Sequence, residues 1–458
     1  MWAHGFGQRF DLPLPLWLWL TGAGGTIVLT FAVVAVFLRK DGFSGDYPRT
    51  VLLEGPAART VAGLRLLAAA IFLLTIGAGL FGVQDAYRNL ITTMVWIIWW
   101  VGLAFVCALV GDLWALVNPL RTIYGWAEKL FAAMTGGRRL SLGLAYPRAL
   151  GAWPAVLLFF LFAWAELVWQ DRDVPAFLAR AVLSYALFTW AAMLLFGRDT
   201  WLEKGEAFSV AFGVLARFAP LHAEAGRLEL RPPGAGLLVR EPVSVSYLAF
   251  VLLMLSTVMF DGFIETPLMQ RIDTEIQRSP LLARWLFDLS EWGLSETQVV
   301  STAALAFFPL VFLAAFWASS WAMVRFARSP VPAWQAGCAF VLTLVPIAVA
   351  YHLSHYFSLL LTAGQFIIPL ASDPFGYGWN LFGTAGYKVD LTIVSPYVFW
   401  YGAVTLIVIG HVIAVVLAHV VALRMFPARA IQSQVPMLAL MVAYTTLSLW
   451  ILAQPVVE

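Results

Sequence analysis

The chain has 458 residues, 61% hydrophobic and 12% charged, with a mean hydropathy of +0.83. Soluble domains are about half apolar and a quarter charged, so this excess excludes a soluble or singly anchored protein and implies an all-α, polytopic integral membrane protein. A net charge of +2 provides no field for nucleic acid, and with only Cys107 and Cys338 there is no disulfide framework.

The opening stretch, "MWAHGFGQRFDLPLPLWLWL", lacks the basic start and small-residue cleavage site of a signal peptide. Its apolar run continues to Leu38 and reads as a retained first span. Runs of about 20 apolar residues then predict ten transmembrane helices in a single domain over 1–458. They lie near 14–38, 62–83, 90–111, 152–170, 177–197, 244–260, 299–324, 335–361, 396–421 and 436–454. Alternate connections divide the basic residues unevenly: 39–61, 112–151, 198–243, 325–334 and 422–435 carry 19 Lys and Arg, and the opposite set carries 7. The positive-inside rule places the first set in the cytoplasm and both termini outside.

In chain order, the outer N-terminal stretch offers His4 and Asp11, and the next outer connection, "QDAYRN", offers Asp85 beside Arg88. After the third span, "GDLWALVNPLRTIYGWAEKL" reads as a short interfacial helix capped by Asp112 and broken at Asn118-Pro119. The fourth span carries Glu166 near its outer end. The segment 198–243 reads as a cytoplasmic amphipathic helix lying in the interface, followed by an irregular stretch from "RPPG". The sixth span ends in "MFDGFIETP", which brings Asp261 and Glu265 to the outer edge and opens an acidic outer loop over 261–298. That loop reads either as a cation collector or as a solvated helix pair. The eighth span holds "AVAYHLSHYFSLLL" in its outer half, with Pro346 below as a kink. His352 and His355 are three residues apart on one helical face, a spacing that suits two ligands of one metal ion or two hydrogen-bonded polar residues in a bundle. Asp373 follows in the next connection. His411 and His419 lie lower, in the inner half of the ninth span, and His222 lies in the basic loop.

Ionisable residues at membrane depth are costly and face a cavity or one another. The expected site is therefore an outer mouth where His352, His355, His4 and Asp11 hold a divalent zinc, manganese, iron or copper ion. Asp261 or Glu265 would orient an attacking water there. No Gly-rich phosphate loop or Gly-x-Ser-x-Gly elbow occurs.

Three stretches, "AHGFGQRFDLPLPLWLWL", "GDLWALVNPLRTIY" and "WLEKGEAFSVAFGVLARFAP", with "FDGFIETP" and "HLSHYF" beyond them, carry a resemblance. They resemble bacterial multispanning membrane proteins named fenitrothion hydrolase. The resemblance implies a multi-pass protein of the bacterial inner membrane that cleaves the aryl ester of phosphoric or phosphorothioic triesters. It implies a small apolar substrate drawn from the lipid bilayer, is compatible with a partner subunit, and transfers no catalytic residue to this chain. Two other classes fit the residues: a transporter whose buried Glu166 and Asp261 form a cation or proton path, and a membrane subunit of a copper- or haem-handling redox assembly.

Overall fold

The structure, a computed structural model, describes residues 13–38, 47–55, 58–224, 226–291, 293 and 295–454. In hydrocarbon every backbone N–H and C=O must be satisfied within its own segment, so the apolar runs fold as helices. In chain order these are α1 (Leu16–Phe37), α2 (Ala58–Phe81), α3 (Leu90–Leu109), α4 (Leu113–Val117), α5 (Pro119–Met134), α6 (Trp153–Leu167), α7 (Pro175–Phe196) and α8 (Arg198–Lys204). Then come α9 (Ala207–Ala216), α10 (Val245–Ile264), α11 (Pro267–Arg278), α12 (Pro280–Ser290), α13 (Glu296–Ala327), α14 (Ala333–Ser372), α15 (Pro396–Met425) and α16 (Ala430–Leu452). A helix stands at each of the ten expected spans. Among the described residues nine are long and apolar enough to cross a membrane. The tenth, α6, has 15 residues and a length of about 22 Å, short of a hydrocarbon core about 30 Å thick.

Two helices depart from regular α geometry. Residues Thr93–Gly102 of α3 form a π-helical stretch. In α14 the chain tightens to a 3-10 turn over Val341–Leu344 just ahead of Pro346, whose ring and missing N–H disturb the turn behind it. α14 packs closely along α15, and Gly410 makes this approach feasible: a Cβ there would stand 2.4 Å from Ala350 Cβ and 2.6 Å from the Pro346 carbonyl oxygen.

Among the described residues, contacts join connections within each of the two sets that the charges separate. At the basic end, strand β1 (Thr50–Glu54) pairs antiparallel with β3 (Arg227–Leu230), which pairs antiparallel with β2 (Leu221–Glu224). Arg65 Nε donates to the Leu116 carbonyl, Arg121 pairs with Asp199 at 2.9 Å, and Ser141 Oγ donates to the Leu194 carbonyl. At the other end Val83 N donates to the Phe375 carbonyl, Trp96 Nε1 to the Arg172 carbonyl, and Gln170 Nε2 to Ser295 Oγ. Which end is cytoplasmic rests on the charge distribution.

Asp112 caps α4 by accepting from Ala115 N, and Asn118 caps α5 by accepting from Leu120 N and Arg121 N, as the sequence suggested. The 198–243 segment differs from its expectation. Instead of an interfacial amphipathic helix it folds as α8, α9 and the β2–β3 hairpin, and every residue of α9 except Ser209 and Gly213 is buried. The reason is compositional. "AFSVAFGVLA" has one polar residue and no polar face to turn to water. Its ends are sealed by charge. Glu206 accepts from Phe208 N and Ser209 N at the N-terminus, and from the Tyr185 hydroxyl. Buried Arg231 donates to the carbonyls of Ala216, Arg217 and Ala219 at the C-terminus. Each charge has the sign that the helix dipole favours. The 261–298 region is a helix pair, α11 and α12, with largely exposed acidic residues. Asp261 is not part of it but lies within the last turn of α10, buried.

Candidate functional site

The sequence pattern around α10 and α14 brings carboxylate and imidazole together inside the bundle. Gly262 lets the end of α10 sit close to both α16 and α14: a Cβ there would be 2.7 Å from Ile451 Cγ2 of α16, and 3.2 Å from the Tyr351 hydroxyl and 3.4 Å from His355 Cε1 of α14. Asp261 Oδ2 then accepts two hydrogen bonds, from His355 Nε2 at 2.9 Å and from the Tyr356 hydroxyl at 2.6 Å. Asp261 is 4% exposed, His355 0% and Tyr356 2%. Because a carboxylate only accepts, the His355 proton belongs on Nε2, which makes Nδ1 the basic nitrogen. Tyr351, one helical turn before His355, stacks on its ring with centroids 5.8 Å apart.

Other ionisable groups surround this centre. Glu166, at the end of α6, is 5% exposed and within electrostatic reach of both Asp261 and Arg172. Arg172 Nη1 donates to the Glu166 backbone carbonyl at 2.6 Å. Glu265, one turn beyond Asp261 and just outside α10, is half-buried. Burial, then repulsion by Asp261, lifts its carboxyl above the ordinary carboxylate range against the pull of Arg172 and His355. The result is a run of carboxylates leading inward from the end of α10 to a buried imidazole.

His352 is placed differently. Its neighbour four residues on is Tyr356, whose ring fills the space beside it at 4.7 Å while also touching His355 at 4.6 Å. Trp100 and Phe105 of α3 pack against the other sides of the His352 ring at 5.9 and 5.8 Å. Its Nε2 has no hydrogen-bond partner among the described residues. The two histidines share a helix and a tyrosine, and only His355 meets a carboxylate. Of the other expected ligands, His4 and Asp11 lie outside the described residues. Among the described residues no three His, Cys, Asp or Glu side chains are grouped to hold a metal ion. The two expected ligands that are described, His352 and His355, do not by themselves supply the three protein donors that a resident transition metal takes.

The remaining candidates have structural duties. Asp85 Oδ1 accepts from Tyr87 N, and the Asp373 carboxylate from Tyr377 N and Gly378 N, so both close turns. His411 Nδ1 donates to the Ile407 carbonyl at 2.8 Å. His419 Nε2 donates to the Leu38 carbonyl at 2.7 Å, so its Nδ1 accepts from Gln434 Nε2 at 3.0 Å, tying α1, α15 and α16 together. His222 sits in β2 with Nε2 3.5 Å from Glu224.

Sequence reasoning missed Tyr356, Tyr351 and Arg172. The first two flank the histidines in "YHLSHY", where an aromatic is ordinarily read as packing; Arg172 is the single cation of "QDRD". No family model matches the chain, and neither a curated protein nor a solved structure does.

Proposed function

We propose that this chain is a membrane transporter that couples translocation of its substrate to protonation of a buried acid–base centre. The observation that carries this reading is Asp261, buried among spanning helices and hydrogen-bonded to both His355 and Tyr356. Glu265 stands toward the end of α10 and Glu166 beside it, a ladder of proton acceptors in a region where isolated charge is strongly disfavoured. A proton entering at Glu265 passes to Asp261 and His355, and the change of charge there alters how α10 and α14 attract one another. The test is reconstitution in liposomes enclosing a pH-sensitive dye. An imposed pH gradient should drive proton entry in the parent protein, and Asp261→Asn or His355→Gln should reduce the rate at least about tenfold. Equal rates in parent and both variants would refute the reading.

A second reading rests on the resemblance, with the Asp261–His355 pair supplying its chemistry. Here the protein is a membrane hydrolase of organophosphorus aryl esters. His355, oriented by Asp261, removes a proton from the attacking water. Release of nitrophenolate from an aryl phosphotriester by purified protein, lost in His355→Gln, would favour it over transport. Elemental analysis of the same preparation tests the divalent metal expected from the sequence.

A further inference from the structure

At the basic end of the molecule, at the opposite end of α10 from Asp261, a cavity of about 520 Å3 opens beside α9. It lies between the connection containing Arg148, the end of α8, one side of α9 and the first turn of α10. Three cations line it, Arg148, Lys204 and Arg217, against a single carboxylate, Glu203. None of the three cations makes an ion pair with a carboxylate among the described residues. Two are held over aromatic rings: Lys204 Nζ is 5.9 Å from the Tyr146 centroid, and Arg217 Cζ is 5.9 Å from that of Tyr247. Such contacts orient a cation without neutralising it. The cavity continues inward along α9, where a Cβ on Gly213 would meet nothing within 4 Å. Its volume falls in the range of small-ligand sites, about 300–1,000 Å3.

We propose that this cavity binds a phosphate-bearing anion, the chemistry shared by an anionic phospholipid headgroup and a small phosphorylated metabolite. Unneutralised cations facing one cavity repel one another, and a phosphate group relieves that repulsion while accepting charge-assisted hydrogen bonds from the arginines. The site is independent of the proton-coupled reading, since it shares no residue with the acid–base centre.

The test measures the thermal unfolding midpoint of the purified full chain in neutral detergent, titrated in separate arms. One arm adds phosphatidylglycerol against phosphatidylcholine as mixed micelles; the other adds glycerol 3-phosphate. Stabilisation by phosphatidylglycerol alone identifies a headgroup site, and stabilisation by glycerol 3-phosphate alone a soluble phosphate site. Lys204→Gln combined with Arg217→Gln should weaken the effective probe at least about tenfold. Glu203→Gln should tighten it, and Gly213→Leu, whose Cβ meets nothing within 4 Å and which gains helix propensity, should block it. These two variants decide the matter if the double variant does not fold. The proposal is overturned if neither probe stabilises the parent protein beyond phosphatidylcholine, or if the effective probe stabilises Gly213→Leu and Glu203→Gln to the same extent as the parent.

Discussion

Replacing Asp261 by alanine removes the acceptor of two buried donors, the Tyr356 hydroxyl at 2.6 Å and His355 Nε2 at 2.9 Å. A buried donor left without its partner costs about 1–3 kcal/mol, so the two together cost about 2–6 kcal/mol. Loss of the Asp261 charge also relieves its repulsion of Glu166 and Glu265, which places the expected net destabilisation in the lower part of that range, about 2–4 kcal/mol. Asp261→Asn keeps a carbonyl oxygen in place and should cost about half as much, on the order of 1–2 kcal/mol. A double-mutant cycle between Asp261→Asn and Tyr356→Phe isolates one of the bonds and should return a coupling of about 1–3 kcal/mol. Tryptophan fluorescence during denaturant titration of the protein in detergent reads all of these, since Trp100 lies beside the site. A cost for Asp261→Ala below about 1 kcal/mol, with coupling below about 0.5 kcal/mol, would refute the assignment of Asp261 as the hub of the buried network.

Gly410→Ala should force α14 and α15 apart, because its Cβ would stand 2.4 Å from Ala350 Cβ, and should cost about 1–3 kcal/mol in the same titration. Arg231→Met strips three carbonyls at the end of α9 of their donor and should cost about 2–4 kcal/mol. Arg231→Lys should recover only part of this loss, because an ammonium cannot reproduce the planar fork. For Glu265 the folded-state carboxyl holds its proton more tightly than the unfolded chain does. Its contribution to stability is therefore full below the ordinary glutamate value and is lost as pH rises through the raised folded value. Unfolding midpoints between about pH 4 and pH 8 should fall with rising pH in the parent and flatten in Glu265→Gln, which carries no titrating proton. A slope unchanged in Glu265→Gln would assign the pH dependence elsewhere.

The helices were legible because lipid leaves an apolar run of sufficient length one main way to satisfy its backbone, and the caps at Asp112 and Asn118 were legible because capping is local chemistry. The depth reached by α9 was not. Charged residues around "AFSVAFGVLA" suggested an interfacial position, whereas Glu206 and Arg231 serve as its buried end-caps. The two caps lie on opposite sides of α9 in the sequence, and nothing local links Arg231 to the helix it closes. At the site, Asp261 and His355 were both named from their positions near one membrane edge. Their direct contact spans 94 residues, so spacing alone could not reveal it. The metal expectation treated His352 and His355 as equivalent because a three-residue spacing places them on one face. Tyr356 and the aromatic rings of α3 give them different surroundings.

The small sheet at the basic end also constrains how the molecule is made. Arg49, next to β1, reaches Glu229 of β3 across 180 residues. At synthesis rates of about 5–20 residues per second, β1 waits roughly 9–36 s for its partner. During that interval four further apolar helices (α3, α6, α7 and α9) leave the ribosome while the link between α1 and α2 has no sheet to join. The first two spans are therefore inserted early but fastened late, and β1 is exposed to mispairing for the whole delay.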